Sequence, residues 1–207
     1  MTNDLTLYSH PQSRGRIARW MLEETGAPYK VEYMGYGTTM KGTDYLAINP
    51  MGKVPALKHG NIVVTEVAAI CAYLADAFPQ ANLAPPNDQR GAYYRWLFFG
   101  AGPVEAAITN KALGVQVSDE QRGFVGYGSL EQVLDTLERA VSGGGYIASD
   151  TFTAADLYIG AQIGYGLRFN TIEARPAFTA YWERLSKRPG RQRADELDNA
   201  AMEKMKG

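Results

Sequence analysis

Asn49-Pro50-Met51-Gly52-Lys53-Val54-Pro55-Ala56-Leu57, followed by Thr65-Glu66-Val67-Ala68-Ala69-Ile70, sets a proline-fixed turn and an acidic helix start close together. Pro55 has no N–H and stands at the mouth of the apolar pair Ala56-Leu57. Val54 is thereby pushed into an extended conformation with its own N–H and C=O free to pair with another backbone. Glu66 follows the apolar run Ile62-Val63-Val64 and precedes a helix, where exposed N–H groups and the dipole favour an anionic group, its own or a ligand's. Each feature alone has a plainer reading, a strand-edge turn for the proline and a first-turn carboxylate for the glutamate. In this order and spacing they read together as a cradle for a peptide-like ligand.

On the N-terminal side, Leu5 to Tyr8 reads as a strand and Ser13 to Thr25 as a helix stopped by Gly26. The alternating Tyr29 to Tyr33 reads as a second strand, which makes a parallel βαβ unit. Thr38 to Ile48 is irregular or weakly helical. Ala56 to His59 and Ile62 to Thr65 flank Gly60-Asn61 as a hairpin, and Ala68 to Phe78 is an apolar helix. The order predicts a four-stranded mixed sheet carrying helices, an α/β domain over residues 1–79. The stretch at 80–87, with Pro85 and Pro86, reads as a linker. Residues 88–207 lose the strand signals and predict helices over 88–111, 118–141, 153–169 and 176–187, with a last polar helix after Pro189. Thr153-Ala154-Ala155-Asp156 reads as a capping box, which gives Asp156 a structural role.

Composition narrows the function classes. A chain of 207 residues with 45% hydrophobic content can bury a full core. Its net charge of −1, with 21 basic residues spread along the chain, leaves no electrostatic footprint for nucleic acid. No apolar run is long enough to span a membrane, and Met1-Thr2-Asn3-Asp4 does not begin like a signal peptide, so a cytoplasmic protein is expected. One cysteine, Cys71, and two histidines, His10 and His59, predict neither an internal disulfide nor a metal site. Cys71 lies in an apolar helical run and reads as core, and His10 as a solvated loop side chain.

With these motifs in this order, the sequence resembles the cytosolic glutathione S-transferases, of the bacterial type, over nearly its whole length. The resemblance implies a thioredoxin-like α/β N-terminal domain followed by an all-α C-terminal domain. It also implies a homodimer that conjugates glutathione, as co-substrate, to a hydrophobic small-molecule electrophile. In that family the proline is cis and the valine backbone pairs with the cysteinyl part of glutathione, which maps onto Pro55 and Val54. The family's acidic residue at the helix start, here Glu66, meets the γ-glutamyl end. Val67 stands where many members carry Ser or Thr and keeps only its backbone N–H for the ligand. Arg14 and Lys53 complete the expected glutathione-binding set.

The thiol-activating residue stays open between Ser13, Tyr8 and Ser9. A free thiol with a pKa near 8.5 is mostly protonated at neutral pH, so a hydroxyl hydrogen bond and a positive helix end must draw it toward thiolate. Ser13 is placed at a helix start, where it would also serve as an N-cap, whereas Tyr8 belongs to the strand and Ser9 to its end. For the electrophile pocket the resemblance points to Phe98, Phe99 and Glu105, with Tyr165 on the far side. The small residues and proline of Gly100-Ala101-Gly102-Pro103 break or kink the helix there and would let a ligand approach its backbone. Two rival readings are a non-catalytic interaction or regulatory protein of the same fold and a glutathione-dependent reductase or peroxidase. The latter lacks a cysteine at the first helix start.

Overall fold

The computed structural model describes residues 4–206. Strands β1 (Leu5–Ser9), β2 (Lys30–Tyr33), β3 (Ala56–His59) and β4 (Ile62–Thr65) form one sheet in the order β2-β1-β3-β4. β1 pairs parallel with β2 through the crossover helix α1 (Gly15–Thr25) and antiparallel with β3, which pairs antiparallel with β4. α1 stops at Gly26, whose φ of 67° suits a residue without Cβ. The alternation along β1 assigns its two faces. Leu5, Leu7 and Ser9 are buried, and Leu7 lies opposite Leu57 of β3. Tyr8 lies opposite Ala56 and faces the other way, into a cluster with Met34, Met40 and Tyr45. Tyr45 belongs to α2 (Thr43–Leu46), a short helix inside the stretch read as irregular or weakly helical. Helix α3 (Val67–Ala77) follows β4, and its Cys71 is fully buried, so burial drives the thiol pKa far above its ordinary value.

The described residues divide into two compact units, one running to Leu83 and resuming at Arg188, the other Ala84–Lys187. The last helix, α9 (Pro189–Lys206), therefore does not join the helical half to which its sequence assigns it. It packs on α1, where Arg19 Nε lies 3.0 Å from the buried carboxylate of Asp198 and Arg16 reaches Asp195 and Asn199. Arg188, just before α9, grips Glu24 with two nitrogens, and Arg191 lies over the Trp20 ring. These partners are far apart in the chain, and a polar amphipathic pattern does not name the surface it covers.

The second unit holds α4 (Gly91–Phe99), a π-helical segment at Gly100–Val104, α5 (Glu105–Ala112), α6 (Leu130–Val141), α7 (Ala154–Arg168) and α8 (Pro176–Ser186). The expected helix over 118–141 is shorter than its pattern suggested. Only a 3-10 turn at Asp119–Gln121 forms before Leu130, because Gly123, Gly126 and Gly128 break the run and Gly128 takes a φ of 67°. Pro103, which has no N–H to give, is absorbed by the π segment. A Cβ on Gly100 would lie 2.9 Å from the Tyr158 ring of α7, so the close approach allowed at that glycine is taken by the chain itself. Asp156 is fully buried and accepts from the backbone N–H groups of Ile147 and Thr153 and the hydroxyls of Thr153 and Tyr181. That is the structural role its capping box predicts. Among the described residues no helix is long and apolar enough to cross a membrane, and no group of three or more His, Cys, Asp or Glu is placed to hold a metal ion.

Candidate active site

A cavity of about 450 Å³ opens in the first unit where three segments meet. Gln12, Ser13 and Arg14 come from the turn before α1, Tyr36, Gly37, Met40 and Lys41 from the stretch after β2, and Gly52, Lys53 and Val54 from the loop before β3. The lining carries three cations, Arg14, Lys41 and Lys53, and neither aspartate nor glutamate. Such a wall attracts a ligand with several negative charges.

The loop before β3 is held from below. Lys53 C=O accepts from the Tyr45 hydroxyl at 2.6 Å and from Asn49 Nδ2 at 2.8 Å, while Asn49 Oδ1 accepts the Met51 N–H. Lys41 Nζ donates to the carbonyls of Met51 and Gly52. Gly52 sits at a φ of 56°, and a Cβ there would lie 2.9 Å from both Lys41 Nζ and Met40 O, so this contact needs glycine. The Val54–Pro55 peptide bond is cis. Val54 is half-buried on the cavity wall, and Pro55 is buried behind it.

The start of α1 gathers the candidate hydroxyls differently from what its sequence suggested. α1 begins at Gly15, so Ser13 occupies the turn ahead of it rather than the helix. Ser13 Oγ donates to His10 C=O at 2.7 Å and accepts the Gly15 N–H at 2.9 Å. A Cβ on Gly15 would lie 2.0 Å from Ser9 Oγ and 3.0 Å from Ser13 Oγ, so both hydroxyls press on one glycine. Ser9 is fully buried beneath it, with no hydrogen-bond partner for its Oγ. Tyr8 is half-buried with its ring 5.6 Å from that of Tyr45. Burial first, then Glu32 and Asp4, raise its pKa, which makes it a weaker acid than a free tyrosine. Of the three hydroxyl residues, only Ser13 is on the cavity lining.

Glu66 is exposed at the N-cap of α3 with φ 65° and ψ 121°, and its side chain makes no capping hydrogen bond. Val67 behind it is buried. Neither is on the cavity lining. In the helical unit, Phe98 is 72% exposed, whereas Phe99 is half-buried edge-on against Trp96. Glu105 opens α5, and Tyr165 of α7 stacks on Phe169. Sequence reasoning missed Gln12, Tyr36, Met40 and Lys41. The last three lie in or beside a stretch without periodicity, and a lysine there carries no signal that it will brace a loop eleven residues on.

The chain matches the glutathione S-transferase N-terminal domain over residues 3–76 and the glutathione S-transferase C-terminal domain over residues 124–189. It is 30% identical over 153 residues to glutathione S-transferase GstA of Escherichia coli O157:H7, covering 72% of this chain and 75% of that one. It is 29% identical over 205 residues to glutathione S-transferase 3 of Zea mays, covering 91% and 92%. A sphingomonad glutathione S-transferase solved with glutathione superposes with a TM-score of 0.76 at 28% identity, covering 94% of this chain and 98% of that one. The thioredoxin-like sheet with its cis-proline loop, the helical unit and these likenesses together show that this chain belongs to the glutathione S-transferase family.

Proposed function

We propose that the cavity at the start of α1 binds glutathione, ionises its thiol and presents the thiolate to a hydrophobic electrophile. Glutathione transfer is the activity named for the relatives of this chain. The observation that carries the reading is the convergence of Arg14, Lys41 and Lys53 with the Ser13 hydroxyl on one cavity. Glutathione in its thiolate form has two carboxylates and a sulfur anion to set against three cations and one ammonium of its own to set against Glu66. Val54 supplies backbone pairing to the cysteinyl part beside Pro55, and Val67 offers its N–H to the γ-glutamyl carboxylate.

In this reading Ser13 is the activating residue, ahead of Tyr8 and Ser9. Its oxygen accepts the Gly15 N–H at the positive end of α1, which polarises the hydroxyl and makes its hydrogen a better donor. On ligand binding that hydrogen turns from the His10 carbonyl to sulfur. Residues 1–79 hold glutathione, 80–87 link, and within 88–207 Phe98, Phe99, Glu105 and Tyr165 receive the electrophile. The chain acts as a cytoplasmic homodimer in detoxification, with no metal.

Binding to immobilised glutathione followed by turnover on aryl halides, epoxides and hydroperoxides tests the reading. Ser13→Ala is expected to lower turnover roughly 10- to 100-fold and to move the ultraviolet thiolate titration of bound glutathione upward. Tyr8→Phe should leave both nearly in place, and the opposite pattern would reassign the activator. The Ser13 hydrogen engaged on His10 C=O favours a second reading, a glutathione-binding protein without catalysis. Tight binding with no turnover on any substrate would establish it.

A further inference from the structure

His10, which its sequence presents as a solvated loop residue, is tied into the cavity wall at three points. Its Nδ1 accepts the Gln12 N–H at 3.1 Å, and its carbonyl accepts both the N–H and the hydroxyl of Ser13, at 2.9 and 2.7 Å. Its ring lies 4.3 Å, centroid to centroid, from that of Tyr36. Gln12, Ser13 and Tyr36 all line the cavity. The Gln12 N–H pointing at Nδ1 assigns the proton of the neutral ring to Nε2. The arrangement copies an Asx turn, in which a side-chain oxygen accepts the N–H two residues on, with a titratable nitrogen in place of the oxygen.

We propose that His10 is a positioning residue for the thiol-activating turn: neutral, it locks residues 10–13 and so aims the Ser13 hydroxyl, and protonated, it releases them. The proposal rests on the reading of Ser13 as activator. An imidazolium carries hydrogen on both nitrogens, so protonation sets a donor against the Gln12 N–H donor and breaks the turn. The titratable and charged groups on the elements around the ring are Tyr36 after β2, Arg14 and Arg16 at the start of α1, Asp195 of α9, which pairs with Arg16, and Lys41 and Lys53 across the cavity. The Tyr36 phenol, its pKa raised further by burial, is neutral, Asp195 is engaged by Arg16 and Arg191, and the rest are cations that do nothing to favour an imidazolium. Burial likewise lowers the pKa of His10, so the locked form prevails at neutral pH and fails on acidification.

The test compares kcat/KM for glutathione in the wild type, His10→Asn and His10→Phe between pH 5 and 8. Asparagine keeps an acceptor for the i+2 N–H but does not titrate, and phenylalanine keeps a ring against Tyr36 but no acceptor. Glutathione ionises alike in all three, so ratios cancel its own titration. The His10→Asn to wild-type ratio is expected to be level above pH 7 and to climb toward pH 5 by roughly 2- to 10-fold, as for loss of the hydrogen bond from the Gln12 N–H. His10→Phe should fall below His10→Asn by roughly 2- to 10-fold at pH 7.5, as for one lost hydrogen bond. A ratio that stays level to pH 5, or equal rates for the asparagine and phenylalanine variants, overturns the proposal. Ser13→Ala checks the underlying reading separately. Should it turn over like the wild type, the hold of His10 on the turn is read from the binding of S-methylglutathione, which has no thiol and keeps its charges between pH 5 and 7. Affinity that falls with pH in the wild type and not in His10→Asn upholds the role, and parallel curves defeat it.

Discussion

Glu66 occupies a backbone conformation that only glycine adopts freely, and replacing it separates what its backbone costs from what its carboxylate does. At φ 65° and ψ 121° it lies outside the left-handed helical well, and such a conformation costs a residue with a side chain about 1–3 kcal/mol. Against that, a carboxylate at the start of α3 gains about 0.3–1 kcal/mol from the helix dipole. Glu66→Gly removes the strain, forfeits the dipole gain and adds about 0.5–1 kcal/mol of chain entropy. The net is a stabilisation of roughly 0.5 kcal/mol, a rise of about 1–2 °C in Tm for a chain of this length. Glu66→Ala keeps the strain and loses the carboxylate, so its Tm should fall by about 1–4 °C. The two variants therefore move in opposite directions. Circular-dichroism melts at low salt measure the sign, and calorimetric titration with glutathione is expected to show weakened binding in both. An alanine variant at least as stable as the glycine variant would refute the strain argument, and undiminished affinity in either would remove Glu66 from the ligand site.

Three further outcomes follow from buried groups. Asp198 has its pKa raised to about 6, by burial first with Arg19 opposing, whereas the unfolded carboxylate titrates near 3.9. The folded state thus holds more protons than the unfolded between about pH 4 and 6, and stability falls as pH rises through that window, by at most about 3 kcal/mol. Denaturant titrations of Asp198→Asn should lack this slope, and an unchanged slope would assign it elsewhere. Asp156→Ala strands four donors in the core and is expected to cost about 3 kcal/mol or more while leaving glutathione affinity intact, as equilibrium unfolding and calorimetry will show. Gly15→Ala drives a methyl into Ser9 Oγ, so it should cost about 1–3 kcal/mol in urea unfolding and lower turnover too, because Ser13 Oγ is displaced with it.

The strands and the proline-fixed loop were legible because alternation and proline punctuation are local, while the cis state of Pro55 was implied by the family resemblance. β1, β3 and β4 fall within one residue of their predicted spans for that reason. Val54 and Ser13 were singled out from turn chemistry next to periodic elements, and Lys53 and Arg14 through the family resemblance, and all four line the cavity. What escaped was set by contacts between distant residues. Lys41 matters because its ammonium reaches the carbonyls of Met51 and Gly52, and no pattern in Thr38 to Ile48 announces that. The destination of α9 depends on where Asp198 meets Arg19, a pairing written in neither neighbourhood. His10 was misread for the same reason in miniature, since its role comes from Gln12 and Tyr36 rather than from being a loop histidine.

The return of α9 to the first unit has a consequence for synthesis on the ribosome. The sheet and α1 emerge early, yet the carboxylate that partners Arg19 is made only after the whole of Ala84–Lys187, a delay of roughly 5–20 s at ordinary rates of translation. Through that interval the nascent first unit carries the surface of α1 that α9 will cover, with Arg16 and Arg19 lacking the carboxylates of Asp195 and Asp198, while the helical unit has every residue it needs to close. The unit that begins the chain is thus the last to be finished, and a fragment cut after Leu83 would stay in that unfinished state.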